Sequence, residues 1–130
     1  MTQDKQTLVL VVDDDPRSRE LMGVILRHAG FGVAAAAHPA QAQALLDDAR
    51  PALAIVDYLM PGMNGLEFCR WVRQQPSLAA MRFVLLTGMD AEETRAEARA
   101  AGADDVVIKP FDRLELLARL NSLLESPTAR

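Results

Sequence analysis

Apolar and polar positions along this chain fall into blocks. Short apolar runs at Leu8–Val12, Leu53–Val56, Phe83–Leu86 and Val106–Ile108 lack period-two alternation, the pattern of strands covered on both faces. Val33–Ala36 is a fifth, weaker candidate. Helix-patterned segments lie between them. Asp15-Pro16 offers an N-cap with proline at the first helical position, and Gly30 closes that helix, whose inward stripe is expected at Leu21, Met22, Ile25 and Ala29. Pro39 opens a second helix that ends before Pro51. Asn64 caps a third, with Phe68, Cys69 and Val72 inward and Pro76 beyond its end. A fourth, around Ala91–Ala101, stops at Gly102, and the fifth, capped by Asp112, carries Leu114 through Leu124. Five strands and five helices in strict alternation, with no hairpin signal, predict a doubly wound parallel sheet with right-handed crossovers. The expectation is one domain over residues 1–130, a core at about 8–124, and a loose tail at Ser126–Arg130.

Composition narrows the class. Half the residues are apolar and a quarter charged, enough to bury a core and against a disordered chain. No uncharged apolar run approaches the about 20 residues that cross a bilayer, and no secretory leader opens the sequence. Fourteen basic against eighteen acidic side chains give a net charge of −4, which disfavours direct DNA binding. The single cysteine, Cys69, excludes an internal disulfide and a multi-cysteine metal site. A cytoplasmic protein with no membrane attachment is expected.

The chemistry stands where the strands end. The first runs into Asp13-Asp14-Asp15, the third into Asp57, the fourth into Thr87-Gly88 and the fifth into Lys109-Pro110. In a parallel sheet these carboxyl ends share one edge, where open α/β sheets bind ligands. Asp15 is assigned to the helix cap. Two carboxylates about 5 Å apart repel by roughly 3 kcal/mol at an effective dielectric of 20, so a proton or a hard cation must relieve such a cluster. Oxygen ligands without histidine or thiol favour Mg²⁺ over Zn²⁺. Mg²⁺, a lysine, a hydroxyl and backbone N–H groups near Gly88 can hold a phosphoryl group, with a carboxylate as nucleophile.

Val11-Val12-Asp13-Asp14-Asp15-Pro16, Asp57-Tyr58-Leu59-Met60-Pro61-Gly62-Met63-Asn64-Gly65, Leu86-Thr87-Gly88 and Ala101-Gly102-Ala103-Asp104-Asp105 leading to Lys109-Pro110-Phe111 resemble the receiver domain of two-component response regulators. The resemblance covers about Leu8 to Leu124. It implies a flavodoxin-like, five-stranded sheet of order 2-1-3-4-5. It further implies that Asp57 accepts a phosphoryl group from a sensor histidine kinase or histidine phosphotransfer protein. Asp13, Asp14, Asp57 and the backbone carbonyl of Leu59 would then hold Mg²⁺, Thr87 and Gly88 would bind the phosphoryl group with Lys109, and Lys109-Pro110 would be cis. The expected role is a phosphorylation-driven switch acting on an unknown downstream protein. It is not an enzyme on an external substrate, though it promotes its own phosphorylation and slow dephosphorylation. With the sequence closing after the fifth helix, a stand-alone receiver is expected; a longer parent reading frame would add an effector.

Some positions depart from the family pattern. The switch position, Val106, is aliphatic where an aromatic ring is usual, so signalling is expected to rely on the loop after Thr87 and on displacement of the fourth helix. Leu59 and Met89 are apolar where polar groups could orient water, which predicts a long-lived phosphoaspartate. Alternatively, both merely cover apolar surface. Trp71 reads as packing beneath a neighbouring loop, Cys69 as a small core residue, and His28 as a cation suited to a helix C-terminus. His38 carries no usable signal. Arg17, Arg19 and Arg27 make the first helix basic, ordinarily a solvated face, but this is the family's kinase-docking side. The fifth helix is apolar at 114, 116, 117, 120, 123 and 124, wide enough for a partner surface or a weak dimer. The rival readings are a small aspartate-dependent phosphatase built on Asp13-x-Asp15, with Arg17 where Thr or Val belongs, and a phosphorylation-independent interaction module.

Overall fold

A computed structural model describes residues 6–125; the tail expected at Ser126–Arg130 lies outside them. The elements alternate as β1 (Leu8–Val12), α1 (Pro16–His28), β2 (Gly32–Ala36), α2 (Pro39–Leu45), β3 (Leu53–Asp57), α3 (Gly65–Gln74), β4 (Arg82–Thr87), α4 (Glu92–Ala101), β5 (Asp105–Ile108) and α5 (Arg113–Glu125). All strand pairs are parallel and the order is β2-β1-β3-β4-β5, as the resemblance implied. The pleat divides the apolar residues between two layers. Leu10, Val12, Ala54, Val56, Phe83, Leu85 and Val106 pack against α2, α3 and α4 through Ala42, Phe68, Val72 and Ala98. Val9, Val11, Leu53, Ile55, Val84, Leu86 and Val107 pack against Met22 and Leu26 of α1 and Leu116 and Leu120 of α5. The weak candidate β2 is an edge strand, paired only with β1, which is why its apolar signal is thin.

Helix ends follow local chemistry. The Asp15 side chain accepts the Arg17 N–H and caps α1; Asn64 and Glu67 form a reciprocal capping box on α3; the Asp112 carboxylate accepts the Glu115 N–H. Gly102 closes α4 in the left-handed conformation (φ 107°). One expectation needs correction. The buried arc of α1 is Met22, Gly23, Ile25 and Leu26; Leu21 is 57% exposed and Ala29 is exposed past the last helical residue. The helix is turned so that Leu21 faces a groove beside Arg113 and Leu114 of α5 rather than the sheet. The second helix opens at Pro39 and ends at Leu45, before Pro51 as expected. Asp47 and Asp48 sit unfavourably at its negative end, and the Arg50 guanidinium takes the carbonyls of Leu46 and Ala49 instead.

Candidate functional site

Because β1, β3, β4 and β5 are consecutive neighbours, their carboxyl ends form one rim. Asp57 is the last residue of β3, Thr87 the last of β4, and Asp13 and Lys109 each follow their strands directly. Carboxylate oxygens of Asp13, Asp14 and Asp57, one from each residue, lie within 4.8 Å of one another. The Lys109 Nζ donates to Asp57 Oδ1 at 2.5 Å, leaving Asp57 Oδ2 unengaged by described side chains. The Lys109 N–H donates to the Thr87 carbonyl (2.8 Å), fixing the end of β5 to that of β4, and Lys109-Pro110 is cis as expected. Behind Asp57, α3 begins without a side chain. A Cβ on Gly65 would stand 2.7 Å from the Asp57 carbonyl oxygen, so only glycine lets the helix start this close to the strand end.

Electrostatics make the rim receptive to a cation. Asp13 and Asp57 are buried while Asp14 is exposed. Burial raises the Asp13 carboxyl above its ordinary range, the nearby Asp57 and Asp14 charges add to this, and the Asp15 N–H and Lys109 oppose it. Three carboxylates face a single ammonium, so the site is short of positive charge. Its donor set is oxygen only, and it fits a hard divalent cation such as Mg²⁺ better than a thiophilic one.

Other anticipated positions sort themselves around this rim. Gly88 is exposed immediately after Thr87, whose Oγ1 accepts the Met89 N–H at 3.0 Å. Leu59 and Met89 are exposed on the loops after β3 and β4, at 69% and 43%. Val106 is buried in the layer that packs on α4. Trp71 is partly buried against the core and stacks on Phe68 of its own helix, ring centroids 5.8 Å apart; Cys69 is fully buried, its Sγ donating to the Ala101 carbonyl. Sequence reasoning missed two residues. His38 caps α2, its Nδ1 accepting the Gln41 N–H at 3.2 Å. Arg19 is not a solvated residue: it is half-buried and donates to the Asp13 carbonyl.

Residues 9–121 match the profile of the response regulator receiver domain. The transcriptional regulatory protein GltR of Pseudomonas aeruginosa is 40% identical over 89% of this chain, a match spanning 48% of GltR. Among solved structures, the chemotaxis protein CheY4 of Vibrio cholerae superposes with a TM-score of 0.88 at 34% identity, covering 92% of this chain and 99% of that one. The receiver domain of the sensor histidine kinase PA1611 of P. aeruginosa PAO1, described with a magnesium ion coordinated in its active-site cleft, superposes at 0.85 with 26% identity, over 94% and 100% of the two chains. The chain belongs to the response regulator receiver family, which the rival readings as a phosphatase or a plain interaction module do not explain. It spans about half the length of the curated relatives it matches. No helix among the described residues is long and apolar enough to cross a membrane.

Proposed function

We propose that this receiver accepts one phosphoryl group on Asp57 from a phosphohistidine of a sensor kinase or phosphotransfer protein and thereby changes its protein contacts. The observation that carries the reading is the Asp13–Asp14–Asp57 cluster with Lys109 seated on Asp57. The free Asp57 oxygen attacks phosphorus, the new O–P bond forms as the P–N bond breaks, and the departing imidazole retains its nitrogen electron pair. Magnesium held by Asp13, Asp14, Asp57 and the Leu59 carbonyl would supply charge neutralisation for the transferring oxygens. Lys109 pairs with the phosphoryl oxygens and the Thr87 hydroxyl donates to them. The apolar side chains of Leu59 and Met89 shield the acyl phosphate from water and lengthen its life.

A docking surface for the donor lies beside the rim. One groove of about 380 Å³ is lined by Asp13, Leu21, Met22, Leu86, Lys109 and Phe111 among others. A second, of about 370 Å³, continues between α1 and α5 past Val24, His28 and Leu114. Leu21 and Ile25 line both, and Arg17, Arg27 and His28 ring the exposed side of α1. This apolar, basic-edged surface is suited to a helical partner with acidic flanks.

Output takes a route that does not need an aromatic ring. Thr87 holds the Met89 N–H, so its movement toward a phosphoryl group pulls the exposed loop at 88–91. The helix beyond, α4, has Ala91 at its N-cap with no side-chain cap, and the residues it buries are Thr94, Ala98 and Ala101, which bury little apolar area. With Val106 in place of a ring, displacement of α4 is the transmitted change.

The test is incubation with labelled acetyl phosphate and Mg²⁺. Wild type takes up one phosphoryl group per chain, EDTA abolishes uptake and Asp57→Ala takes up none. Continuous phosphate release from an external ester, or full labelling of Asp57→Ala, would contradict the proposal.

A further inference from the structure

The loop between β1 and α1 carries two of the three clustered carboxylates, and Asp13 is tied down at three points. Its N–H donates to the Ala36 carbonyl of β2 (3.1 Å), its Oδ1 accepts the Asp15 N–H (3.0 Å), and its carbonyl accepts Nη1 of Arg19 (2.8 Å). The last of these differs in kind from the other two. That carbonyl belongs to the rigid peptide plane joining Asp13 to Asp14, so holding it sets the direction in which both carboxylates leave the backbone. Arg19 comes from α1, six residues on, and is half-buried where Arg17 and Arg27 on the same helix are exposed. The hydrogen bond from Arg19 goes to the backbone carbonyl of Asp13 and not to its carboxylate.

We propose that Arg19 is a positioning residue for the cation site, clamping the Asp13–Asp14 peptide so that the two carboxylates converge with Asp57. Left alone, three like charges drive one another apart, while Mg²⁺ demands near-ideal octahedral oxygen ligands. A brace that holds the ligands together before the cation arrives therefore acts on affinity. The inference rests on the reading of the acidic cluster as a Mg²⁺ site.

Isothermal titration with MgCl₂ tests it, alongside melting curves in EDTA. Arg19→Met is expected to weaken Mg²⁺ binding about tenfold, as loss of an outer-shell partner commonly does. Arg19→Lys, which keeps a cationic donor, recovers part of it, and Arg19→Gln serves as the second variant if Arg19→Met does not fold. Phosphorylation of Arg19→Met by acetyl phosphate falls at limiting Mg²⁺ and returns to the wild-type rate at saturation, which a general loss of structure would not allow. Binding by Arg19→Met within twofold of wild type, or a rate that stays low at saturating Mg²⁺, overturns the assignment. If wild type itself binds no Mg²⁺, the reading of the acidic cluster fails as well, and the two failures are distinguished by that single control.

Discussion

The two edges of the sheet both bury ionic groups, and they treat them in opposite ways. At the amino edge, Asp104 Oδ2 accepts Arg73 Nη2 (3.0 Å) and the Phe83 N–H (2.8 Å), and Arg82 stands 3.6 Å from Oδ1. The Arg73 guanidinium also donates to the carbonyls of Gly102, Ala79 and Met81, and its chain passes so close to Gly102 that a Cβ there would stand 2.8 Å from it. That cluster joins α3, β4 and the turn before β5, and its donors and acceptors answer one another. At the carboxyl edge three carboxylates share one ammonium. The first cluster is closed by the protein's own groups; the second keeps an excess of carboxylates, which under the proposed function a cation from outside the chain would balance.

That contrast can be broken by mutation. The largest effect belongs to Asp104→Ala, which removes the carboxylate shared by two partly buried guanidiniums and the Phe83 N–H. It should cost about 3 kcal/mol in urea unfolding while phosphorylation by acetyl phosphate survives well below the melting temperature. Asp13→Asn should act in the opposite direction. Because burial raises the Asp13 carboxyl in the folded protein, the unfolded chain gives up this proton at lower pH than the folded one. Stability is then fully present below the ordinary carboxylate value and is drained as pH rises through it toward the folded value. The metal-free Asn variant should therefore melt a few degrees above wild type at neutral pH, with the gain gone below about pH 3; melting in EDTA across pH reads this directly. On the rim itself, Leu59→Asn combined with Met89→Glu should hasten loss of the phosphoryl group several-fold in a chase, and an unchanged or slower loss would show that both side chains only cover apolar surface. The smallest effect is expected at Ala91→Ser. Supplying the missing cap of α4 should add about 0.5–1 kcal/mol and reduce amide exchange at the start of that helix.

The alternation of elements, the four residues on one rim and the cap at Asp15 were legible because each depends on local pattern: apolar runs, a polar residue at a strand end, a capping residue before proline. What was missed depends on tertiary packing. The rotation of α1 that exposes Leu21 follows from α5 lying alongside it, and periodicity alone does not distinguish adjacent faces of one helix. Arg19 looked like one of three surface cations because nothing in its neighbours says that its guanidinium returns to Asp13. Likewise His38 precedes a proline in a way that hides its capping nitrogen. The family resemblance supplied roles, such as the Leu59 carbonyl as a metal ligand, that charge and spacing do not give.

The most direct test is where the phosphoryl group goes. After phosphorylation in Mg²⁺, borohydride reduces an acyl phosphate on aspartate to homoserine, and peptide mass spectrometry then reads its position. Homoserine at residue 57, with 13 and 14 unchanged, is the result this account predicts; trapping at Asp13 or Asp14, or none in a chain that carries the label, would contradict it.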